Sequence, residues 1–209
     1  MILIGQYDSP FVRRVAVVLR IYGFAYEHRP WSTFGDADKL AAYNPLRRVP
    51  TLVLDDGETL VDSAAILDCL DERAGPADAL IPRGGPQRRA VLRVCALATG
   101  LCDKMVSLVY EGVLHETTSR AWIDRCQAQI GGVLDLLEAE RAGRATGFWF
   151  GERLTHGDVA VTCAMRFLAE AHPELHRPAR WPALAAQAQR CEQMAAFQAV
   201  TQRFVPPKR

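Results

Sequence analysis

The sequence lacks any excess of charge. Among its 209 residues, 25 Lys and Arg face 24 Asp and Glu, for a formal net charge of +1. Such a balance creates no field to draw nucleic acid or an anionic membrane, and neither is expected as a partner. Cys-x-x-Cys spacing is also missing. The six cysteines, Cys69, Cys95, Cys102, Cys126, Cys163 and Cys191, are scattered through apolar helical patterns. That distribution suits reduced, buried thiols in a cytoplasmic protein and gives no disulfide framework. No apolar run reaches the roughly 20 residues that cross a bilayer. The chain opens without a basic leader or a small-residue cleavage site, so neither insertion nor secretion is expected. Gly-x-Gly-x-x-Gly and Gly-x-x-x-x-Gly-Lys runs are absent, and no nucleotide cofactor is indicated. His172 and His176 have the i, i+4 spacing of helical metal ligands, but Pro173 lies between them without a third ligand, and no metal is expected. Internal repeats and low-complexity segments are lacking too. The 49% hydrophobic content that remains is ample for one large or two small domains.

The stretch around which the chain is organised is Met1 to Leu19. An apolar run, Ile2-Leu3-Ile4, reaches Tyr7-Asp8-Ser9-Pro10 and passes directly into a helical pattern with Val12, Val15, Ala16 and Leu19 on one face. Ser9 stands where an N-cap belongs, and Pro10 takes the first helical position, where its missing N–H costs nothing. Unpaired N–H groups and the positive dipole end favour an anion there, so a thiolate or carboxylate beside Ser9 would be stabilised. Taken alone, the stretch reads as a capped helix.

Gly23 ends that helix, and Phe24 to Arg29 alternates as a second strand stopped by Pro30, making a parallel, right-handed strand–helix–strand unit. A short helix is expected over Asp36 to Tyr43, interrupted at Asn44-Pro45. Val49 to Leu54 is a strand entered through Pro50, Asp55 to Glu58 a hairpin turn, and Thr59 to Val61 the returning strand. Asp62-Ser63 opens a third helix with Ile66, Leu67, Leu70 and Ala74 on its apolar side and Gly75-Pro76 as the stop. Three glycines and three prolines between Gly75 and Pro86 mark a boundary, giving a first domain over 1–76, a linker over 77–87 and a second domain over 88–209.

The second domain reads as helical throughout. Val91, Val94, Cys95, Ala98, Leu101, Cys102, Met105, Leu108 and Val109 keep 3.6 spacing, and Ile123 to Leu137 forms another helix. Gly131-Gly132 weakens the latter by about 1 kcal/mol per glycine, for which close backbone packing is the expected compensation. Phe148-Trp149-Phe150-Gly151 is a turn expected to bury its aromatics, and Trp31, Trp122 and Trp181 are expected to pack. In Leu154 to Val159, Thr155 and Asp158 form a capping box that occupies the Asp158 carboxylate, so Asp158 is read as structural and not catalytic. Pro206 to Arg209 is expected to be loose.

Three features line up: a hydroxyl at the first helix N-terminus, the proline-entered strand at Val49-Pro50, and Asp62-Ser63 at the third helix N-terminus. With Asn44-Pro45-Leu46-Arg47-Arg48-Val49-Pro50 and the Leu154 to Asp158 box, their order and spacing resemble a glutathione transferase over nearly the whole chain. The resemblance implies an α/β thioredoxin-like N-terminal domain, an all-α helical C-terminal domain, a homodimer, and glutathione as co-substrate. It makes Ser9 the residue that activates the thiol, with Arg13 four residues later as in many such sequences; Tyr7, near the end of the first strand, is the alternative donor, as in other classes.

Each implied role has a physical basis. A free cysteine thiol has a pKa of about 8.5, and a hydrogen bond from Ser9 together with the helix dipole would lower it. The resemblance makes Val49-Pro50 a cis peptide whose Val49 N–H and C=O pair with glutathione's cysteinyl backbone. It places the γ-glutamyl carboxylate on Ser63, the amino group beside Asp62, and the glycyl carboxylate at Arg48. Read without it, Pro50 is a trans edge-strand proline, Asp62-Ser63 another cap, and Arg47 and Arg48 solvated charge. Arg47 stands where the family commonly has glycine. The implied acceptor pocket lies between the domains, with Phe11, Met105 and Tyr110 as candidate walls for a small apolar electrophile. Serine cannot form a mixed disulfide, which favours transferase chemistry over thiol–disulfide exchange. The alternatives are a glutathione-dependent isomerase or peroxidase on the same fold, or a non-enzymatic interaction protein.

Overall fold

The computed structural model describes residues 1–207. The chain forms two compact units, one of Met1–Leu80 with Met194–Arg203, the other of Ile81–Gln193 with residues 204–207. Residues 194–203 therefore leave the helical half in which they were expected and join the first unit. Lys208 and Arg209, part of the tail expected to be loose, lie outside the described residues.

The first unit runs β1 (Ile2–Ile4), α1 (Pro10–Ile21), β2 (Glu27–Arg29), α2 (Ala37–Ala41), β3 (Thr51–Val53), β4 (Thr59–Val61) and α3 (Ser63–Ala74). Its sheet has the order β2-β1-β3-β4, with β1 parallel to β2 and β3 antiparallel to both β1 and β4. β1 and β4 have the expected bounds, whereas β2 and β3 are shorter than the alternation predicts, for identifiable reasons. Phe24 donates its N–H to the Leu19 carbonyl at 3.0 Å, closing the end of α1, so the chain is free to pair only from Glu27. Pro50 has no N–H to give a ladder, and β3 starts at Thr51. Leu54 N–H to the Glu58 carbonyl, 2.8 Å, then closes the hairpin.

Side chains alternate across the sheet. Ile4, Leu40 of α2 and Val53 make one buried cluster with Ile2, Trp31, Tyr43 and Val49 packed on it. The other face, with Leu3 and Leu52 fully buried, is left to α1 and α3, which pack together and whose Val12, Val15, Leu19, Ile66 and Leu70 are fully buried. The returning segment adds α8 (Ala195–Gln198), which packs on α1 with Phe197 and Val200 fully buried.

The second unit holds α4 (Gly85–Leu114), α5 (Arg120–Ala142), α6 (His156–Ala171) and α7 (Pro182–Glu192). α4 begins inside the expected linker, with Pro86 in its first turn. α6 is buried on nearly every side from His156 to Met165 and packs on both α4 and α7. Asp158 caps it: Oδ2 accepts from the Thr155 N–H at 2.8 Å and the Thr155 hydroxyl at 2.7 Å. Its Oδ1 accepts from the Trp149 N–H and from Gln187 Nε2, each at 2.7 Å, so one carboxylate joins the 148–151 turn, α6 and α7. Trp149 is fully buried in that turn, whereas Phe148 and Phe150 are only half-buried. Close packing against Gly131-Gly132 is not found: a Cβ at either position would meet nothing within 4 Å. All six cysteines are free, five of them buried. No helix among the described residues is long and apolar enough to cross a membrane.

Candidate functional site

Register brings the sequence-predicted residues to one end of the sheet. Ile4 pairs with Thr51 and Thr51 with Val61, so the next step along puts Gly5, Pro50 and Asp62 in a row across three strands. Strands lie about 4.8 Å apart, and the row spans roughly 10 Å, the length of an extended tripeptide. α1 starts at one end of this row and α3 at the other, so two helix N-termini face the same edge.

Ser9 is the N-cap of α1, with φ −68° and ψ 124°. Its Oγ accepts from the Val12 N–H at 3.4 Å, which leaves the hydroxyl proton uncommitted, and the residue is half-buried. Tyr7, the alternative donor, is directed elsewhere. Its hydroxyl is 2.8 Å from that of Tyr26, whose ring lies under Arg20, about three turns down α1. Its ring stacks on His28 with centroids 3.8 Å apart. Burial and the Tyr26 hydrogen bond push the Tyr7 hydroxyl well above the ordinary tyrosine pKa, away from thiol activation.

Val49-Pro50 is cis. The loop that delivers it is held by Asn44, which is fully buried. Asn44 Oδ1 accepts from the Leu46 N–H at 3.0 Å, and Nδ2 donates to the Arg48 carbonyl at 3.0 Å and to Thr51 Oγ1 at 3.2 Å. Arg47 takes the left-handed conformation, φ 51°, that a glycine would adopt without cost. It spans 3.6 Å to Asp38, while the Arg48 side chain is exposed.

Asp62 has φ 69° and ψ 130°, a conformation that costs a non-glycine residue about 1–3 kcal/mol. It caps α3 through Oδ1, which takes the Ala64 N–H at 2.8 Å, and its carboxylate is exposed; Ser63 beside it is buried. Of the candidate acceptor walls, Phe11 and Tyr110 are half-buried, whereas Met105 is fully enclosed in the buried stripe of α4 and has no surface to offer. His172 is engaged structurally, with Nε2 2.8 Å from the Met105 carbonyl. Among the described residues, no group of three or more His, Cys, Asp or Glu side chains is placed to hold a metal ion.

Sequence reasoning missed three members of this site. Gly5 has φ +130°, and a Cβ there would stand 2.5 Å from Val12 Cγ2 and 2.8 Å from Val49 Cβ, so only glycine lets the start of α1 and Val49 meet at the end of β1. Its signal was a glycine directly following an apolar run. Asn44 could have been found as an Asx turn before a proline. Gln202, which accepts the Tyr7 N–H at 3.0 Å from 195 residues away, had no local signal.

Residues 3–78 match the glutathione S-transferase N-terminal domain family, and residues 120–186 match the glutathione S-transferase C-terminal domain family. The uncharacterized GST-like protein YibF of Escherichia coli (strain K12) is 30% identical over 80% of this chain and 82% of its own. This chain belongs to the glutathione S-transferase family. Another family relative, the maleylacetoacetate isomerase of Pseudomonas aeruginosa, is 30% identical over 86% of this chain and 89% of its own. The fold matches that of the glutathione S-transferase from Methylobacterium radiotolerans, whose crystal structure is a complex with glutathione sulfonate. There the TM-score is 0.89 at 28% identity, over 98% of this chain and 99% of that one.

Proposed function

We propose that this chain is a serine-type glutathione transferase that binds glutathione along the Gly5–Pro50–Asp62 row and delivers its thiolate to a small apolar electrophile. The observation that carries the reading is that row. It is as long as a tripeptide and ends at one side on a helix N-terminus with a free hydroxyl proton, at the other on a helix N-terminus with an exposed carboxylate. The γ-glutamyl amino group meets Asp62, its carboxylate meets Ser63 and the first N–H groups of α3, and the cysteinyl backbone pairs with Val49. Arg48 meets the glycyl carboxylate. At neutral pH only a few per cent of a free thiol is ionised, since its pKa is about 8.5. A hydrogen bond donated by Ser9 and the dipole of α1 both favour the anion, and the enzyme need supply no covalent nucleophile. Phe11, two residues after Ser9, contacts the electrophile. Membership of the family, together with a structural neighbour crystallised with glutathione sulfonate, supports this reading.

The test compares the wild type with Ser9→Ala by calorimetric titration of glutathione, by ultraviolet titration of the bound thiolate, and by turnover of an electrophile panel. The expected outcome is that Ser9→Ala still binds glutathione but raises the thiol pKa and lowers kcat about 100-fold. Equal thiol pKa values in the two proteins would remove Ser9 from the mechanism. Similarity to the Pseudomonas aeruginosa maleylacetoacetate isomerase favours a second reading, in which the thiolate adds to a double bond and is released again. That reaction requires glutathione without consuming it, so thiol loss during turnover separates the two. Glutathione binding without any turnover would mark an interaction protein. The same proposal carries a cytoplasmic homodimer, whose oligomeric state is tested by light scattering against concentration.

A further inference from the structure

The returning segment Met194–Arg203 holds both ends of the turn that carries Ser9. The Gln6 carbonyl accepts the Ser9 N–H at 3.2 Å, so Tyr7 and Asp8 are the central pair of a tight turn, with the Tyr7 N–H directed out of it. Gln202 Oε1 takes that N–H at 3.0 Å. On the far side of Ser9, the Arg13 N–H closes the first turn of α1 on the Ser9 carbonyl at 2.9 Å. The Arg13 guanidinium, buried, then donates to the carbonyls of Val200 at 3.1 Å and Phe197 at 3.2 Å, at and just past the end of α8. The local cap on Ser9 is long at 3.4 Å and holds the hydroxyl weakly, so restraint has to come from outside the turn.

We propose that Gln202 is a positioning residue for thiolate formation: through the Tyr7 N–H it fixes the turn so that the Ser9 hydroxyl stands where the glutathione sulfur is received. The proposal rests on the glutathione reading above. A misplacement of about 1 Å at a reacting group is enough to cost up to about 100-fold in rate. Arg13 secures the segment that presents Gln202, and Gln202 secures the turn.

The experiment uses the full chain with two substitutions. Gln202→Leu keeps the bulk and removes the acceptor, whereas Gln202→Glu keeps an acceptor oxygen. In Gln202→Leu the Tyr7 amide is expected to exchange faster with solvent, and the pKa of bound glutathione to rise by about half a unit to one unit. Its kcat at neutral pH should fall about three- to tenfold, with KM for glutathione within about twofold. Gln202→Glu should restore all three to within about twofold of wild type. A Gln202→Leu protein whose bound thiol titrates like wild type overturns the proposal, as does a loss shared equally by both variants or a change confined to KM. If the wild type itself binds no glutathione, or binds it without lowering its thiol pKa, the functional reading fails and this inference fails with it. If the wild type lowers that pKa and Gln202→Leu does so equally, only the positioning role is lost.

Discussion

Gly5 shows what a single missing atom does for the site. A methyl group there would overlap the side chains of both Val12 and Val49, one at the start of α1 and the other before the cis proline, and its φ of +130° is unsuited to any other residue. Gly5→Ala is therefore expected to destabilise the chain by about 3 kcal/mol, combining overpacking with backbone strain, and to weaken glutathione binding further than stability alone explains. Urea unfolding and calorimetry on the same variant check both. Residues whose roles are local were legible beforehand: Ser9 and Asp62 cap helices by rules that operate within three residues. Gly5 and Gln202 were not, because what constrains them arrives from distant parts of the chain, at Val49 for the one and at Tyr7 for the other. Tyr7 illustrates the same limit, since its partner Tyr26 could not be read from the first strand alone.

At the scale of elements, helical periodicity located α1, α3, α4 and α5 but not α7, and the other discrepancies lie at ends and glycines. β2 and β3 are shorter than their alternation because a helix exit and a proline claim the backbone first. α4 extends back to Gly85 because the glycines and proline that marked a linker also fit a helix start. Gly131-Gly132 faces open space in α5, so no neighbour requires either residue. Gly132→Ala is accordingly expected to stabilise the protein by about 1 kcal/mol through helix propensity and a less disordered unfolded chain, visible as a higher Tm with unchanged kcat. A Tm that fell would point to a contact at that face of α5. Asp158 was rightly read as a cap, but its links to Trp149 and Gln187 come from packing of α6 against α7 and left no mark in the local pattern.

For the molecule as a whole, the stability–pH profile follows from carboxylates held below their ordinary values. The Ser119 N–H, with His115, keeps Glu111 below the usual 4.5 against the opposing effect of its partial burial. Trp181 Nε1 and Arg180 keep Asp135 below the usual 3.8, and Lys39 does the same for Asp36. A lowered folded pKa gives stability that is complete above the ordinary value and disappears as pH falls through the lowered one. Glu111→Gln should therefore lose less of its urea midpoint than wild type between about pH 5 and about pH 3. An equal loss in both proteins would show that Glu111 contributes nothing to acid unfolding.

The path of the backbone has a consequence for biosynthesis. Because Arg13 takes its carbonyl acceptors from residues 197 and 200, a nascent chain exposes an incomplete first unit until residues 194–203 have been translated. Residues 1–80 thus wait for a segment made more than a hundred residues later, and premature termination anywhere before residue 194 would release a polypeptide unable to finish that unit.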